Sequence, residues 1–464
     1  MFVFIISVII LSVVIIGLSL KIYVKLVDCR YRSRNGLTND ETIVAFFHPF
    51  CNSGGGGERV LWVALRALRD KYPDCHYVVY TGDVEAKPEE ILAKARNHFK
   101  IDLDDSSIRF VYLKRRYLIG CQLYPYFTLL GQSIGSVGLG LEALFNCRPN
   151  IFIDSMGYSF TFPVFKYLGG SRVVAYVHYP TISTDMLELV AQTRTSYNNR
   201  SFISNSPVLT KAKLMYYKLF AYLYGLMGRM AEIVMVNSSW TKGHVEHIWQ
   251  REARTVYPPC NTSDLKQLSL ANKNRLKIVS IGQIRPEKNH KLQLMAFKEF
   301  IDRLAADDNK SVAKLVIIGS CRDSDDEQRL DELKKLCHKL EIDDKVDFKI
   351  NIPYDELKRQ IEESSIGLHT MINEHFGIGV VECLASGLVT VTHDSGGPKL
   401  DLIRNETNGF LATDLHNFAE ILYKIANLSD RQLMDIRVTA RNSSDRFSEQ
   451  QFETLFLQSI ESVF

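Results

Sequence analysis

The sequence contains no CxxC pair, and its nine cysteines are an odd number without regular spacing. A disulfide framework uses an even number of cysteines, and a zinc ribbon needs closely spaced cysteine pairs. The cysteine pattern therefore excludes both a disulfide-stapled secreted domain and a zinc site built from cysteine pairs.

The chain also lacks a strong net charge. It has 56 basic and 53 acidic residues, a balance of +3. Residues 21–34 contain five of the basic and one of the acidic residues, so the rest of the chain has 51 and 52. Because nucleic-acid binding needs clustered positive charge for counterion release, no nucleic-acid partner is expected.

The chain as a whole is also not strongly apolar. The mean hydropathy is −0.06, which excludes a polytopic membrane protein. Hydrophobic residues nevertheless make up 46% of the chain and charged residues 23%, which is ordinary globular composition and excludes general disorder.

Residues 1–20, MFVFIISVIILSVVIIGLSL, carry no charge. Twenty helical residues span about 30 Å, the thickness of the hydrocarbon core of a bilayer. A cleaved signal peptide would place basic residues before a shorter apolar run, whereas here Lys21, Lys25 and Arg30 follow it. The positive-inside rule then predicts an uncleaved single-pass anchor over 1–20, a basic juxtamembrane segment over 21–37 and a cytosolic body.

From residue 42 onward, short β-rich runs alternate with helical stretches, which predicts parallel α/β sheets. The predicted strands cover 42–48, 76–82, 108–113, 150–154, 172–178, 232–238, 276–282, 313–319, 346–350, 366–371 and 388–393. A polar stretch over 261–275 interrupts the series and predicts a linker.

This order predicts two Rossmann-like doubly wound domains that face a cleft, over 38–265 and 266–445. We expect residues 446–464 to form a C-terminal helix that packs back on the first domain. Ligands of such sheets bind outside the carboxyl ends of the strands, which is where the candidate residues are sought.

Two apolar stretches, 124–145 and 213–236, exceed what an exposed surface usually carries. They are compatible with core helices. They are also compatible with a surface at the membrane interface, with Lys211, Lys213 and Lys218 near lipid headgroups.

The first glycine-rich loop contains Gly55, Gly56 and Gly57 and lies between a predicted strand and a predicted helix. Without side chains, its backbone N–H groups can approach an anion at the helix start. It matches neither a P-loop nor GxGxxG, so a plain tight turn is the alternative.

The second domain contains two cations at the end of its first predicted strand. Arg285 and Lys291 bracket a predicted helix start, where both charges and the helix dipole favour a diphosphate. An ordinary charged loop is the simpler interpretation.

Two carboxylates follow later in the same domain. Glu374 and Glu382 are separated by seven residues that include Gly377, so both can face one pocket. A Ser-Gly-Gly-Pro turn that starts at Ser395 then exposes backbone in the same way as the first loop. A solvated carboxylate pair is the simpler interpretation.

Together and in this order, these pieces resemble the donor site of retaining nucleotide-sugar glycosyltransferases with the GT-B fold. The segments HPFCNSGGGGERVLW, YVHYPTIS, GQIRPEKNH and EHFGIGVVECLASG more closely resemble the α-1,2-mannosyltransferases of dolichol-linked oligosaccharide assembly in asparagine-linked glycosylation. The resemblance extends over the whole chain.

The resemblance implies a retaining enzyme that uses GDP-mannose to add the fourth and fifth mannoses to Man3GlcNAc2-PP-dolichol, giving Man5GlcNAc2-PP-dolichol. That reaction belongs on the cytosolic face of the endoplasmic reticulum membrane. It also implies no cofactor and no obligatory metal, and a complex with other early mannosyltransferases of the pathway. Another GT-B transferase acting on a membrane lipid, or a non-catalytic nucleotide-sugar-binding scaffold, are the alternatives.

The resemblance further implies roles for individual residues. Arg285 and Lys291 would neutralise the leaving diphosphate, Glu382 would hold the ribose hydroxyls, and Glu374 would contact the mannose. His178 would lie near the donor sugar. The remaining donor-binding positions it implies are Gly55, Gly56, Gly57, Phe376, Gly377 and Ile378.

Overall fold

The computed structural model describes residues 2–103, 108–186, 207–271, 273–306, 313–321 and 323–464. The chain divides into two compact units. The first comprises Met1–Asn237, Thr241–Val256 and Glu453–Phe464, and the second comprises Ser238–Trp240 and Tyr257–Phe452. The last twelve residues therefore belong to the first unit.

The first unit contains a seven-stranded parallel sheet of order β3-β2-β1-β4-β5-β6-β7. Its strands are β1 (Ile43–Phe47), β2 (His76–Thr81), β3 (Ile108–Tyr112), β4 (Ile151–Asp154), β5 (Arg172–Val177), β6 (Ile233–Val236) and β7 (Arg254–Thr255). The central strands are apolar at nearly every position because helices cover both faces of a parallel sheet.

The second unit contains a six-stranded parallel sheet of order β10-β9-β8-β11-β12-β13. Its strands are β8 (Asn274–Ile281), β9 (Lys314–Gly319), β10 (Val346–Ile350), β11 (Ser364–His369), β12 (Val389–His393) and β13 (Gly409–Ala412). The two parallel sheets confirm the predicted α/β class, and each predicted strand overlaps an observed one.

The helices follow in chain order. They are α1 (Phe2–Asn35), α2 (Gly56–Lys71), α3 (Pro88–Phe99), α4 (Thr128–Asn146), α5 (Pro207–Gly228), α6 (Ser239–Trp249), α7 (Thr262–Leu265), α8 (His290–Ala306), α9 (Ser324–Lys339), α10 (Tyr354–Glu363), α11 (Ile378–Ala385), α12 (Leu415–Ala426), α13 (Asp430–Ser443) and α14 (Glu449–Ile460). Helix α7 lies inside the stretch 261–275 that the sequence predicted as a linker.

The C-terminal part of α1 packs on the first unit. Val24 and Val27 are buried, and the buried guanidinium of Arg32 pairs with Asp28 and donates to Asn150. Among the side chains that the structure describes, no helix has an apolar run long enough to cross a membrane. The predicted anchor over 1–20 falls largely on residue 1 and on side chains 2–11, 13 and 14, which lie outside the described part.

The two long apolar stretches both contribute to the core of the first unit. Leu139 and Leu144 of α4 are fully buried, as are Phe220 and Tyr224 of α5. The stretch predicted over 124–145 enters its helix only at Thr128. Helix α5 also exposes Met215, Leu219 and Tyr222, whereas most apolar side chains of α4 pack against the core.

Candidate donor site in the second unit and glycine-rich edge in the first

The candidate site of the second unit lies at the carboxyl ends of β8, β11 and β12, which are neighbours in the sheet. Lys288 follows β8, Glu374 follows β11, and Gly396 and Gly397 follow β12. Because parallel strands all end at the same edge, three segments distant in sequence meet there.

Glu374 is the centre of this cluster. It is 7% exposed, and its Oε2 lies 2.5 Å from Nζ of Lys288 and 3.0 Å from Nε2 of His369. Burial acts to raise the pKa of Glu374, but the Lys288 ammonium and the rings of His369 and His375 outweigh it and hold the pKa well below its usual value. Glu374 is therefore ionised at neutral pH.

The Ser-Gly-Gly turn holds the backbone on either side of this carboxylate. The Gly397 N–H donates to the Glu374 carbonyl at 2.7 Å, and Oγ of Ser395 accepts from the Asn373 N–H at 2.8 Å. Gly396 has φ +67°, and a Cβ there would lie 2.4 Å from the Glu374 carbonyl oxygen. Glycine is required at this position both by the left-handed backbone and by the close approach.

Lys288 lies in the site, whereas the predicted Lys291 does not. The hydroxyl of Thr370 donates to the carbonyls of Lys288 and Asn289, which fixes the turn, and Asn289 has a left-handed φ of +52°. Helix α8 then begins with the buried His290. Lys291 turns about 100° away from it, is 62% exposed, and its Nζ lies 3.9 Å from Glu332.

The other predicted residues of the second unit are placed as follows. Arg285 is 38% exposed and lies 3.9 Å from Glu287. Gly377, with φ +101°, precedes α11, and Ile378 and the partly exposed Glu382 belong to that helix.

Phe376 was predicted to bind the donor, but its ring is buried in the core of the second unit. The ring is 2% exposed and packs against Tyr257 and Phe447. Only the backbone of Phe376 could therefore contact a ligand.

In the first unit, the glycine-rich loop also lies beside a buried carboxylate. Glu58 accepts from the Gly55 N–H at 2.5 Å, and its other oxygen lies 3.6 Å from Nε2 of His48. His48 follows β1, and its Nδ1 lies 2.8 Å from Oγ of Ser155, which follows β4. Burial acts to raise the pKa of Glu58, and His48 and the Gly55 amide more than offset it, so the pKa lies below the usual value.

His178 lies against the same loop. It follows β5, and a Cβ at Gly57 would lie 3.6 Å from its Nε2. Gly56 begins α2, and Gly54 has φ +82°.

Asp154, the last residue of β4, is fully buried at this edge of the sheet. Burial raises its pKa to about 7 although the Met156 and Gly157 amides donate to it. This carboxyl can therefore change its charge near neutral pH.

Sequence reasoning did not assign roles to Lys288, His369, His48 and Glu58. Lys288 and Glu58 lie within the segments GQIRPEKNH and NSGGGGER. His48 is the last residue of a predicted strand, and His369 lies two residues before the end of another. Their position in or beside the segments that follow the carboxyl ends of the strands was the signal that could have identified them.

Lys288 lies beside Glu374 at the carboxyl edge of the sheet, and Arg285 lies three residues before it on the same loop. In the described part of the chain, no group of three or more His, Cys, Asp or Glu side chains is arranged to hold a metal ion.

Comparison with known proteins covers both units. Residues 41–249 match the family described as ALG11 mannosyltransferase N-terminus, and residues 261–446 match the glycosyl transferases group 1 family. A human protein named GDP-Man:Man(3)GlcNAc(2)-PP-Dol alpha-1,2-mannosyltransferase is 50% identical over 440 residues, which cover 93% of this chain and 89% of the relative. The mouse protein of that name is 52% identical over 439 residues, covering 93% and 88%.

Among solved structures, the α,α-trehalose 6-phosphate synthase of Burkholderia multivorans is similar with a TM-score of 0.65 and 12% identity. The similarity covers 91% of this chain and 98% of that one. At this identity the comparison bears on the fold alone, and it agrees with a GT-B fold.

Proposed function

The chain belongs to the family of GDP-Man:Man(3)GlcNAc(2)-PP-Dol α-1,2-mannosyltransferases, and we propose that it transfers mannose from GDP-mannose to Man3GlcNAc2-PP-dolichol in α-1,2 linkage. Half of its residues are identical to those of the human relative over nearly the whole length. We further propose that it adds two mannoses in succession, the fourth and the fifth, to give Man5GlcNAc2-PP-dolichol.

The buried cluster of Lys288, Glu374 and His369 is the observation that carries this proposal. When GDP leaves, negative charge develops on the diphosphate, and fixed cations that face it lower the barrier. Lys288 has three N–H donors, so it can keep its ion pair with Glu374 and still donate to a phosphate oxygen. Arg285 is the second cation in this proposal, and Lys288 takes the role that the sequence had given to Lys291.

Glu374 acts in this proposal as an ionised acceptor for a mannose hydroxyl. Its depressed pKa makes it unsuitable as a general acid. Both GDP-mannose and the product are α-linked, so configuration is retained through a transition state that resembles an oxocarbenium ion. The departing phosphate then takes the proton of the acceptor hydroxyl on the same face of the sugar. Glu382 binds the ribose hydroxyls, and His178 lies near the donor sugar.

The proposed setting is the cytosolic face of the endoplasmic reticulum membrane. Residues 1–20 would form the single-pass anchor, with the N-terminus in the lumen, because the basic residues Lys21, Lys25 and Arg30 follow the apolar run. A complex with other early mannosyltransferases of the pathway is part of the same proposal.

The decisive experiment incubates the purified full chain with GDP-mannose and lipid-linked Man3GlcNAc2 and measures the product by mass. We expect an increase of two hexoses that an α-1,2-mannosidase removes. UDP-glucose and UDP-N-acetylglucosamine serve as control donors and should give no product. Transfer from a UDP-sugar, or transfer of mannose to a different lipid only, would overturn the proposal.

A further inference from the structure

A cavity of about 170 Å³ lies in the first unit, between the start of α4 and the segment that follows β4. Helix α4 lines it with one face, where four residues at helical spacing meet the cavity, namely Leu129, Gln132, Ser133 and Ser136. The opposite wall is the segment 156–160, and Thr181 adds to it. Pockets for drug-sized ligands usually have about 300 Å³ or more, so this cavity suits a single sugar ring rather than a nucleotide.

The cavity lies at the carboxyl edge of the first sheet. Asp154 ends β4, and its side chain accepts from the Met156 N–H at 3.2 Å and the Gly157 N–H at 2.9 Å. Thr181 follows the neighbouring strand β5, and its N–H donates to the Tyr224 hydroxyl at 3.3 Å. Ligands of parallel sheets bind outside the carboxyl ends of the strands, so a substrate of this unit is expected at this edge.

One hydroxyl in the cavity wall is buried without a partner. Ser159 is 1% exposed, and its Oγ has no hydrogen-bond partner among the residues that the structure describes. Most buried side-chain polar atoms in folded proteins have a partner, because an unpaired one costs free energy. A ligand in the cavity would supply the partner that the protein does not.

Other polar groups of the wall are fixed in place. The Gln132 amide nitrogen donates to the Ile119 carbonyl at 2.8 Å, and the amide oxygen can still accept. The Ser136 hydroxyl donates to the Ser133 carbonyl at 2.6 Å, and its oxygen can likewise accept. These neutral groups are suited to hydrogen bonds with the hydroxyls of a ligand.

The chemistry of the wall favours a neutral saccharide. None of the described residues that line the cavity is charged, so none of them would neutralise a phosphate. Leu129, Met156 and Phe160 add apolar surface, and the Phe160 ring is stacked on Phe220 at 6.0 Å. A sugar ring offers both matching surfaces, C–H groups on its faces and hydroxyls at its edge.

We propose that this cavity binds one mannose residue of the acceptor glycan and that the Ser159 hydroxyl hydrogen-bonds to a hydroxyl of that mannose. The inference rests on the proposed function, which makes a mannose-containing glycan the acceptor. It deepens that function, because it assigns part of the acceptor to named residues of the first unit. The donor is a poor candidate for the cavity, since its diphosphate needs the cations that the wall lacks.

The first test measures binding of the free Man3GlcNAc2 glycan to the purified full chain by saturation-transfer NMR, without GDP-mannose. Ser159→Ala should weaken this binding by about 3- to 10-fold, the usual effect of one lost hydrogen bond. The matched control is Ser171→Ala, at a buried serine before β5 whose hydroxyl donates to the Pro149 carbonyl at 2.7 Å. It should leave glycan binding unchanged. Chitobiose, the two N-acetylglucosamine units without mannose, is the control ligand and should not bind measurably.

Melting temperatures separate a binding role of Ser159 from a structural one. Its hydroxyl has no partner among the described residues, so Ser159→Ala should leave the melting temperature unchanged or raise it. Ser171→Ala should lower it, because the Pro149 carbonyl loses its donor. A lower melting temperature in Ser159→Ala with unchanged glycan binding would show that this hydroxyl serves the fold, and would contradict the proposal.

A second variant fills the cavity. Ser133→Leu enlarges a side chain on the face of α4 that lines it. Glycan binding should weaken at least about tenfold, because the ligand and the added side chain cannot occupy the same space. Binding of GDP by the second unit should be unchanged, which shows that the variant is folded.

Unchanged glycan binding in both Ser159→Ala and Ser133→Leu would overturn the proposal, as would binding of chitobiose equal to that of the full glycan. Because the titration needs no turnover, its failure is distinct from failure of the proposed function. Glycan binding with the expected variant effects, in a chain that transfers no mannose, would contradict the proposed function and support the assignment of the cavity.

Discussion

The carboxyl edges of the two sheets each place a buried glutamate beside a glycine-containing turn, but with different partners. In the first unit Glu58 faces His48, and the neighbouring Asp154 has a pKa raised to about 7 by burial. In the second unit Glu374 faces Lys288, which keeps it ionised. The first edge can therefore change its charge near neutral pH. At the second edge Glu374 stays ionised beside the Lys288 ammonium, the arrangement on which the proposed binding of a diphosphate rests.

The largest expected effect is a loss of kcat that distinguishes Lys288 from Lys291, three residues later in the chain. Lys288→Ala should lower kcat by about 100- to 1000-fold, because it removes a fixed cation from the developing charge. Lys291→Ala is the matched control and should stay near wild type, since its side chain is exposed beside Glu332. Steady-state kinetics with GDP-mannose measure both, and a large loss in Lys291→Ala alone would restore the interpretation from sequence.

Substitutions of Glu374 and Glu382 in the second unit should change different kinetic parameters. Glu374→Gln removes the charge that faces Lys288, and we expect kcat to fall by about 10- to 100-fold with a smaller change in KM. Glu382→Ala should instead raise the KM for GDP-mannose by about tenfold, since a ribose contact is shared by ground and transition states. The same ratio of effects in both variants would show that the roles are not divided in this way.

The raised pKa of Asp154, at the carboxyl edge of the first sheet, predicts that stability depends on pH. The pKa of Asp154 is raised in the folded state, so its contribution to stability is fully present below the unfolded pKa and declines as pH rises toward about 7. Asp154→Asn has no carboxyl at this position and should not show this decline. The free energy of unfolding of the variant minus that of the wild type should therefore be roughly 2–3 kcal/mol larger at pH 8 than at pH 5.

Urea unfolding at the two pH values measures this difference. Asp435→Asn, at an exposed position, is the control. A pH dependence in Asp154→Asn identical to that of the wild-type chain would contradict the assignment of the shift to this carboxyl.

The smallest expected effect is that of chelation. If Arg285 and Lys288 neutralise the diphosphate, activity should be unchanged in excess EDTA. The measurement is the initial rate before and after chelation, with added Mg²⁺ or Mn²⁺ as the reverse test. A complete loss that the metal restores would replace the two side chains with a cation in the proposed mechanism.

The strands were predictable because each is a local apolar run bounded by glycine or polar residues. The observed β1 and β10 agree with the predicted runs to within one residue at each end. The strands β7 and β13 were not predicted. Strand β7 has only two residues, and β13 begins with Gly409 and has only Phe410 and Leu411 as large apolar residues. The predicted strand at 366–371 begins two residues earlier, at Ser364, because α10 ends directly before it.

The sequence by itself determined the two parallel sheets, the glycine turns at their carboxyl edges and Glu374 as a candidate, since each of these is encoded within about ten consecutive residues. Only the tertiary structure decided which lysine meets Glu374. That choice depends on the residue at which α8 begins and on the pairing of β8 with β11, which join segments more than 80 residues apart. The partners of His48 likewise come from separate strands, so no local pattern could have identified them.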